Sequence, residues 1–106
     1  MNRFLALAFL LVLTACSRPA ALEAVKAKWT SAGWSYVETY GKVRADAGES
    51  GHEMSSATTP VRVMSNDAST NQEKTLTQTD SQYLVVRMTN PMGEAYSVVF
   101  RKKVAP

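Results

Sequence analysis

The only histidine in the chain, His52, lies among groups that take part in acid–base chemistry. Glu49 and Glu53 flank it, and serine hydroxyls occur at Ser50 and Ser55. Serine, histidine and a carboxylate form the nucleophilic site of many hydrolases, which is recognised by geometry rather than by sequence spacing. No Gly-x-Ser-x-Gly turn accompanies these residues. A solvated histidine is the simpler interpretation, so a small hydrolase that uses His52 is a remote alternative.

The same stretch offers ligands for a metal ion. Zinc sites need three or four ligands of suitable type, held by rigid elements. Glu49, His52 and Glu53 supply carboxylates and an imidazole, but they stand in a segment rich in glycine and serine. We therefore expect no metal site and no cofactor, and we expect that the protein is not an enzyme.

Cys16, the only cysteine, follows a stretch with the features of a targeting signal. Arg3 is followed by an apolar run from Phe4 to Leu13. Such a run rises roughly 15 Å as a helix, about half of the hydrocarbon thickness of a bilayer, so it is short for a permanent span. A basic residue, an apolar run of this length and small residues after it are typical of a secretory signal peptide.

The residues Leu13-Thr14-Ala15-Cys16 resemble the lipobox of bacterial lipoproteins. The resemblance implies that a diacylglyceryl group is attached to the sulfur of Cys16. It also implies cleavage between Ala15 and Cys16, followed by acylation of the new amino terminus. Stable anchoring requires at least two acyl chains, which this chemistry supplies. The alternatives are an ordinary signal peptide cut elsewhere and an uncleaved anchor.

The same resemblance predicts the location and the domain organisation. Ser17 rather than aspartate follows the cysteine, which favours the outer membrane, facing the periplasm, over retention in the inner membrane. We expect a signal peptide over residues 1–15, a lipidated tether over 16–19 and a single small domain over 20–106. No second cysteine is present, so the stability of this domain must come from its core.

The charge of the chain indicates little about its partners. A formal net charge of +3 is weak and does not indicate nucleic-acid binding. The one local basic run is Arg101-Lys102-Lys103. It could contact anionic lipid head groups or peptidoglycan carboxylates, although a solvated strand end is the simpler interpretation.

Four aromatic residues, beginning at Trp29, fall within a short stretch. If residues 34–44 form a strand, Trp34, Tyr36 and Tyr40 share one face of it. Tryptophan and tyrosine often anchor protein interfaces, so these three residues are the candidate partner surface. The alternative is that they belong to the core.

Two elements are predicted around these aromatic residues. Leu22, Val25 and Trp29 recur at the spacing of one helical face, which predicts a helix over 20–32 that ends at Gly33. Residues 34–44 are rich in aromatic and β-branched types, which predicts a strand. A rival interpretation continues the helix through this segment, but Gly33 and Gly41 would each cost it about 1 kcal/mol.

The rest of the chain predicts a loop and several strands. Residues 46–59 read as a loop, 61–64 as a short strand and 74–79 as an exposed strand. The strongest β pattern is a hairpin with strands at 83–89 and 94–104 and a turn at 90–93. Its predicted core side carries Leu84, Val86, Met88, Tyr96, Val98 and Phe100, and its predicted outward side carries Arg87, Ser97, Arg101 and Lys103.

The predicted fold class is α+β: an N-terminal helix packed on a small antiparallel sheet of three to five strands in a meander. The expected function is that of a lipid-anchored, non-enzymatic envelope lipoprotein that presents a small periplasmic domain to a protein partner. Such a protein would be an accessory subunit of an envelope machine or a plasmid- or prophage-encoded exclusion-type blocker. The alternative is a periplasmic ligand-binding or enzyme-inhibitor module.

Overall fold

The computed structural model describes residues 20–67 and 71–104, which form one helix and six strands. The elements are α1 (Ala20–Ser31), β1 (Ser35–Tyr40), β2 (Gly48–Met54), β3 (Val61–Asn66), β4 (Asn71–Leu76), β5 (Ser81–Thr89) and β6 (Ala95–Lys103). The six strands pair antiparallel in one sheet, so the described chain is mostly β. The predicted α+β class, a helix on three to five strands, is therefore wrong.

The order of the strands is β2-β5-β6-β3-β4, with β1 also paired to β6. The predicted meander is therefore wrong as well. β6 is the central strand: β5 pairs along its whole length, β1 pairs with residues 97–101, and β3 joins it at Ala95. Pairing between distant segments overrides the short connections that favoured a meander, because burying the apolar faces of β5 and β6 needs cover from several parts of the chain.

The hairpin of β5 and β6 is confirmed and forms the centre of the domain. Its register runs from the pair Ser81–Lys103 to the pair Thr89–Ala95. In the turn, the Glu94 amide donates to Asn90 Oδ1 at 2.9 Å, and Gly93 adopts a positive φ of 84°. The asparagine and glycine therefore close the turn in the way that their positions in the sequence predict.

We call one side of this hairpin the helix face; it carries Leu84, Val86, Met88, Tyr96, Val98 and Phe100, all fully buried. α1 lies against it and buries Val25, while Leu22 and Trp29 are partly buried beside it. The predicted helix is confirmed, and it ends before Gly33, which adopts a φ of 99°. The apolar stripe of the helix and the alternate residues of the strands thus meet in one cluster.

We call the opposite side the hairpin face; it carries Tyr83, Val85, Ser97, Val99, Arg101 and Lys103. The β3–β4 hairpin packs Val61 and Val63 on its valines. Ser97 Oγ accepts from the Met64 amide at 3.2 Å and donates to the Met64 carbonyl. Ser97 is therefore buried, whereas the sequence predicted that it faces outward. The error arises because a local pattern does not show that a distant hairpin crosses this face.

The segment predicted as a loop, 46–59, contains β2. Gly48 and Gly51 have low β propensity, but the strand is held by its ladder with β5. A bulge falls at Ser50, whose hydroxyl donates to the Arg87 carbonyl at 3.2 Å. Backbone pairing with β5 therefore overrides the low intrinsic preference of this segment for a strand.

The strand predicted over 74–79 corresponds to β4, which begins three residues earlier than predicted.

Within the described ranges, no helix combines the length and apolar character that crossing a bilayer requires.

Candidate functional site

The residues predicted for lipid attachment and signal cleavage, Cys16 and Ala15, lie outside the described residues. Lipidation at Cys16 therefore stays a prediction. The described domain begins at Ala20, at the start of α1.

The three aromatic residues of the candidate partner surface lie in three different environments. Trp34 is only 7 % exposed and belongs to the cluster on the helix face. Its amide donates to the Trp29 carbonyl at 3.1 Å, which closes the turn after α1. Lys102 Nζ lies 4.6 Å from the centre of its ring, so a lysine covers what remains of the indole.

Of the three aromatic residues, Tyr36 is the one whose side chain is exposed and also held in place by several contacts. Its ring is 38 % exposed and packs edge-on against Phe100, with ring centres 5.9 Å apart. Its hydroxyl lies 2.6 Å from Thr39 Oγ1, and Lys26 Nζ lies 4.4 Å from the ring centre. The neighbouring Val37 is 40 % exposed. We call Tyr36 and Val37 the β1 patch.

Tyr40 lies on the other side of the sheet. The β1–β6 register shifts between Tyr36 and Glu38, so Val37 is the extra residue of a bulge. Past the bulge the alternation of side chains is inverted, and Tyr40 packs against the valines beneath β3 and β4. The predicted common face of the three aromatic residues is therefore not formed.

Burial of the Tyr40 phenol raises its pKa to about 12, and its hydrogen bond and charge contact with Glu38 act in the same direction. The bond joins Tyr40 Oη to Glu38 Oε1 at 2.8 Å. Since desolvation and a nearby carboxylate both disfavour the phenolate, the side chain remains a neutral hydrogen-bond donor at ordinary pH.

His52 lies on β2, exposed, and its ring meets that of Trp29 edge-on at 4.9 Å between centres. Glu49 binds Lys28 Nζ through both carboxylate oxygens, each at 3.1 Å. Glu53 pairs instead with Arg87, at 3.4 Å. Both acidic neighbours of the histidine are thus engaged with basic side chains.

The serine neighbours of His52 are engaged as well. Ser55 is fully buried, and its hydroxyl accepts from the Tyr83 amide at 2.9 Å. Ser50 bonds the backbone of β5, as described above. Across residues 20–67 and 71–104, no three His, Cys, Asp or Glu side chains gather in a group that could hold a metal ion.

A polar cleft of about 300 Å³ opens at one end of the hairpin face. It is lined by Ser35, Asp80, Ser81, Arg101 and Lys103. The register explains how they meet: Lys103 pairs with Ser81 of β5, and Arg101 pairs with Ser35 of β1. These rungs lie beyond the valines that the β3–β4 hairpin covers, so the face continues there as charged and hydroxyl groups.

Asp80 is positioned by bonds on both sides. Its carbonyl accepts from the Val104 amide at 2.9 Å, and its Oδ1 accepts from the Thr79 hydroxyl at 3.3 Å. Within the described chain, no ion pair of 4.0 Å or less joins Asp80 to Arg101 or Lys103. The cleft therefore brings together charges of both signs that do not neutralise one another by direct contact.

The sequence identified the basic residues of this cleft as a run but not the cleft itself. Counting outward from the turn at 90–93 brings Ser81 opposite Lys103, so the predicted hairpin contained a signal for that part of the lining. The position of Ser35 beside Arg101 could not be predicted in this way, because it depends on the long-range pairing of β1 with β6.

Comparison with known proteins gives no relative: neither a family model, a curated protein nor a solved structure matches this chain. Its function is therefore inferred from its own residues.

Proposed function

We propose that the protein is a lipid-anchored envelope lipoprotein, without enzymatic activity, that presents a small mostly-β domain to a protein partner. The observation that carries the proposal is the β1 patch, where an ordered, partly exposed tyrosine stands beside an exposed valine. The proposed location is the outer membrane, with the domain facing the periplasm. An accessory subunit of an envelope machine and an exclusion-type blocker are the two roles that fit such a protein.

The distance between the lipobox cysteine and the domain supports this proposal. Four residue steps separate Cys16 from Ala20, where α1 begins, and such a segment spans at most about 14 Å when fully extended. A domain tethered so closely would stay within a thin layer at the membrane surface. That confinement raises its effective concentration against other membrane-bound proteins.

The β1 patch has the properties of an interface anchor. Contacts with Phe100, Thr39 and Lys26 already orient the Tyr36 ring, so binding would cost little additional side-chain entropy. In the described chain β1 pairs with β6 alone, which leaves its other edge open to an added strand. We therefore expect a partner to contact Tyr36 and Val37 together with the backbone of β1.

The anchor is tested by the substitution Cys16→Ser. We expect this variant to lose incorporation of labelled palmitate and to leave the membrane fraction, since no thiol remains to carry the diacylglyceryl group. Ser17→Ala is the matched control and should keep both properties. Normal labelling of the Cys16→Ser protein would contradict the lipoprotein assignment.

The partner surface is tested by placing a photo-crosslinking amino acid at position 37 in cells. We expect a discrete crosslinked band that weakens at least about fivefold when Tyr36→Ala is added, because the tyrosine supplies the anchor. Position 92 is the control: Met92 is 71 % exposed but lies in the turn between β5 and β6. Equal crosslinking at positions 37 and 92 would contradict this surface.

A second candidate function, a periplasmic ligand-binding module, is favoured by the polar cleft at the end of the hairpin face. The β1 patch itself contains none of the five residues that line the cleft, although Ser35 of the cleft is also the first residue of β1.

A further inference from the structure

We propose that the polar cleft binds a small zwitterion in which a phosphate and an ammonium group are joined by a short linker, as in phosphoethanolamine. The cleft places two cations, one carboxylate and two hydroxyls around one concave space. This inference rests on the cleft alone and does not depend on the lipid anchor or on the protein partner proposed above.

The phosphate half of the ligand is matched by Arg101 and Lys103. They are alternate residues of β6, so they lie on the same face with Cα atoms roughly 7 Å apart. Both side chains are exposed, and neither forms an ion pair with another described residue. An arginine fork can bind two phosphate oxygens while a lysine adds a point charge. The hydroxyls of Ser35 and Ser81 supply further donors.

The ammonium half is matched by Asp80. A simple phosphate ion in this cleft would be repelled by the carboxylate, whereas a ligand that also carries an ammonium group turns that repulsion into attraction. The backbone bond from Val104 and the hydroxyl bond from Thr79 hold Asp80 at the rim of the cleft. The backbone of Asp80 is therefore fixed and its carboxylate is already contacted by one hydroxyl, which lowers the cost of ordering it on binding.

Charge and size also agree with this ligand. The two cations and one carboxylate give the cleft a net charge of +1. A phosphomonoester carries about −1.5 to −2 at pH 7, so one ammonium group brings the net charge of such a ligand to between about −0.5 and −1, opposite in sign to that of the cleft. A volume of about 300 Å³ lies at the small end of ligand pockets and suits a head group better than a nucleotide.

The experiment is isothermal titration calorimetry on the full chain in micelles of a non-ionic detergent. The ligands are O-phosphoethanolamine, inorganic phosphate and glutamate, each titrated separately. We expect phosphoethanolamine to bind about tenfold more tightly than phosphate, because only phosphoethanolamine engages both Asp80 and the two cations. Equal affinity for these two ligands, tighter binding of glutamate, or no binding of phosphoethanolamine would overturn the proposal.

Two variants separate the halves of the site. Arg101→Gln should weaken phosphoethanolamine binding about tenfold, while Arg62→Gln, which alters an exposed arginine that pairs with Glu73 outside the cleft, should leave it unchanged. Asp80→Asn should abolish the preference for phosphoethanolamine without weakening phosphate. Equal effects of the two arginine variants, or an unchanged preference in Asp80→Asn, would overturn the assignment. Circular dichroism of each variant verifies that it is folded.

The source of the ligand is decided in the same micelles by competition. Phosphatidylethanolamine added to the micelles should displace soluble phosphoethanolamine if the ligand is a lipid head group. Phosphatidylcholine should displace it less, since its quaternary ammonium keeps the charge but has no N–H to donate to Asp80. Absence of displacement by either lipid assigns the site to the soluble molecule. Equal displacement by both lipids would overturn the role given to Asp80.

Discussion

The two faces of the β5–β6 hairpin are covered in different ways. The helix face holds the four largest of the fully buried side chains in the described chain, Tyr96, Phe100, Leu84 and Met88. Where β3 and β4 cross it, the buried side chains of the hairpin face are Val85, Ser97 and Val99, and Tyr83 is partly buried beside them. Large side chains fill the space beneath a helix, whereas short ones let a second strand approach until a single hydroxyl reaches its backbone.

This difference indicates that the helix face mainly stabilises the fold, whereas the hairpin face carries the candidate ligand site. Volume filling stabilises the helix face, so a residue there is sensitive to truncation. On the hairpin face, the match between Ser97 and Met64 positions β3, and the face then continues past its covering hairpin into the polar cleft. The candidate ligand site thus lies on the face with the smaller side chains.

The largest expected effect is the loss of stability when a buried side chain of either face is truncated to alanine. Phe100→Ala should lower the free energy of unfolding by about 3–5 kcal/mol, because it empties a fully buried ring site beneath α1. Val99→Ala, on the opposite face of the same strand, should cost about 2 kcal/mol, since it removes only two buried methyl groups. Urea denaturation followed by tryptophan fluorescence measures both. A Val99→Ala cost equal to that of Phe100→Ala would contradict the assignment of the main core to the helix face.

A smaller effect is expected from two buried serines that differ in their bonding. Ser97→Ala should cost about 1–3 kcal/mol, because it leaves the amide and carbonyl of Met64 without their hydroxyl partner. Ser65 is equally buried, but its hydroxyl makes no hydrogen bond in the described structure. Ser65→Ala should therefore be neutral or slightly stabilising. The same denaturation assay compares them, and equal costs would show that Ser97 acts through packing rather than through its bond.

The smallest effect concerns Tyr40, which folding places against the hairpin face. Its pKa rises from 10.0 to about 12, so between these pH values the unfolded chain releases a proton that the folded chain keeps. Stability should therefore fall as the pH is raised from 10 toward 12, and less steeply in Tyr40→Phe, which has no phenol at this position. Urea midpoints at pH 9 and pH 11 test this. If the urea midpoint falls equally in the two proteins between pH 9 and pH 11, the phenol of Tyr40 is not buried by folding.

The parts of the fold that were predicted correctly are those formed by neighbouring residues. The alternation of Leu84, Val86 and Met88 and the turn at 90–93 lie within one continuous stretch, so local preference and final structure agree. The helix that begins at Ala20 is of the same kind. His52 shows the opposite case, since its glycine-rich surroundings predicted a loop although the backbone pairs with β5.

The candidate sites divide in the same way. The aromatic residues were visible in the sequence, but the bulge at Val37 places Tyr36 and Tyr40 on opposite faces. The basic run at 101–103 was also visible. Only the tertiary structure shows that Arg101 and Lys103 of this run line a cleft together with Ser35, Asp80 and Ser81.

For this protein the sequence alone determined the helix, the central hairpin and the apolar residues of the helix face, because each depends on periodicity within a short segment. It also carries Leu13-Thr14-Ala15-Cys16, whose resemblance to a lipobox can be recognised without any fold. Only the tertiary structure decided that β2 is a strand, that Ser97 is buried and that the charges of the cleft meet. Those features depend on pairing between distant segments, and a single unpaired residue at Val37 is enough to reverse which side chains face the core.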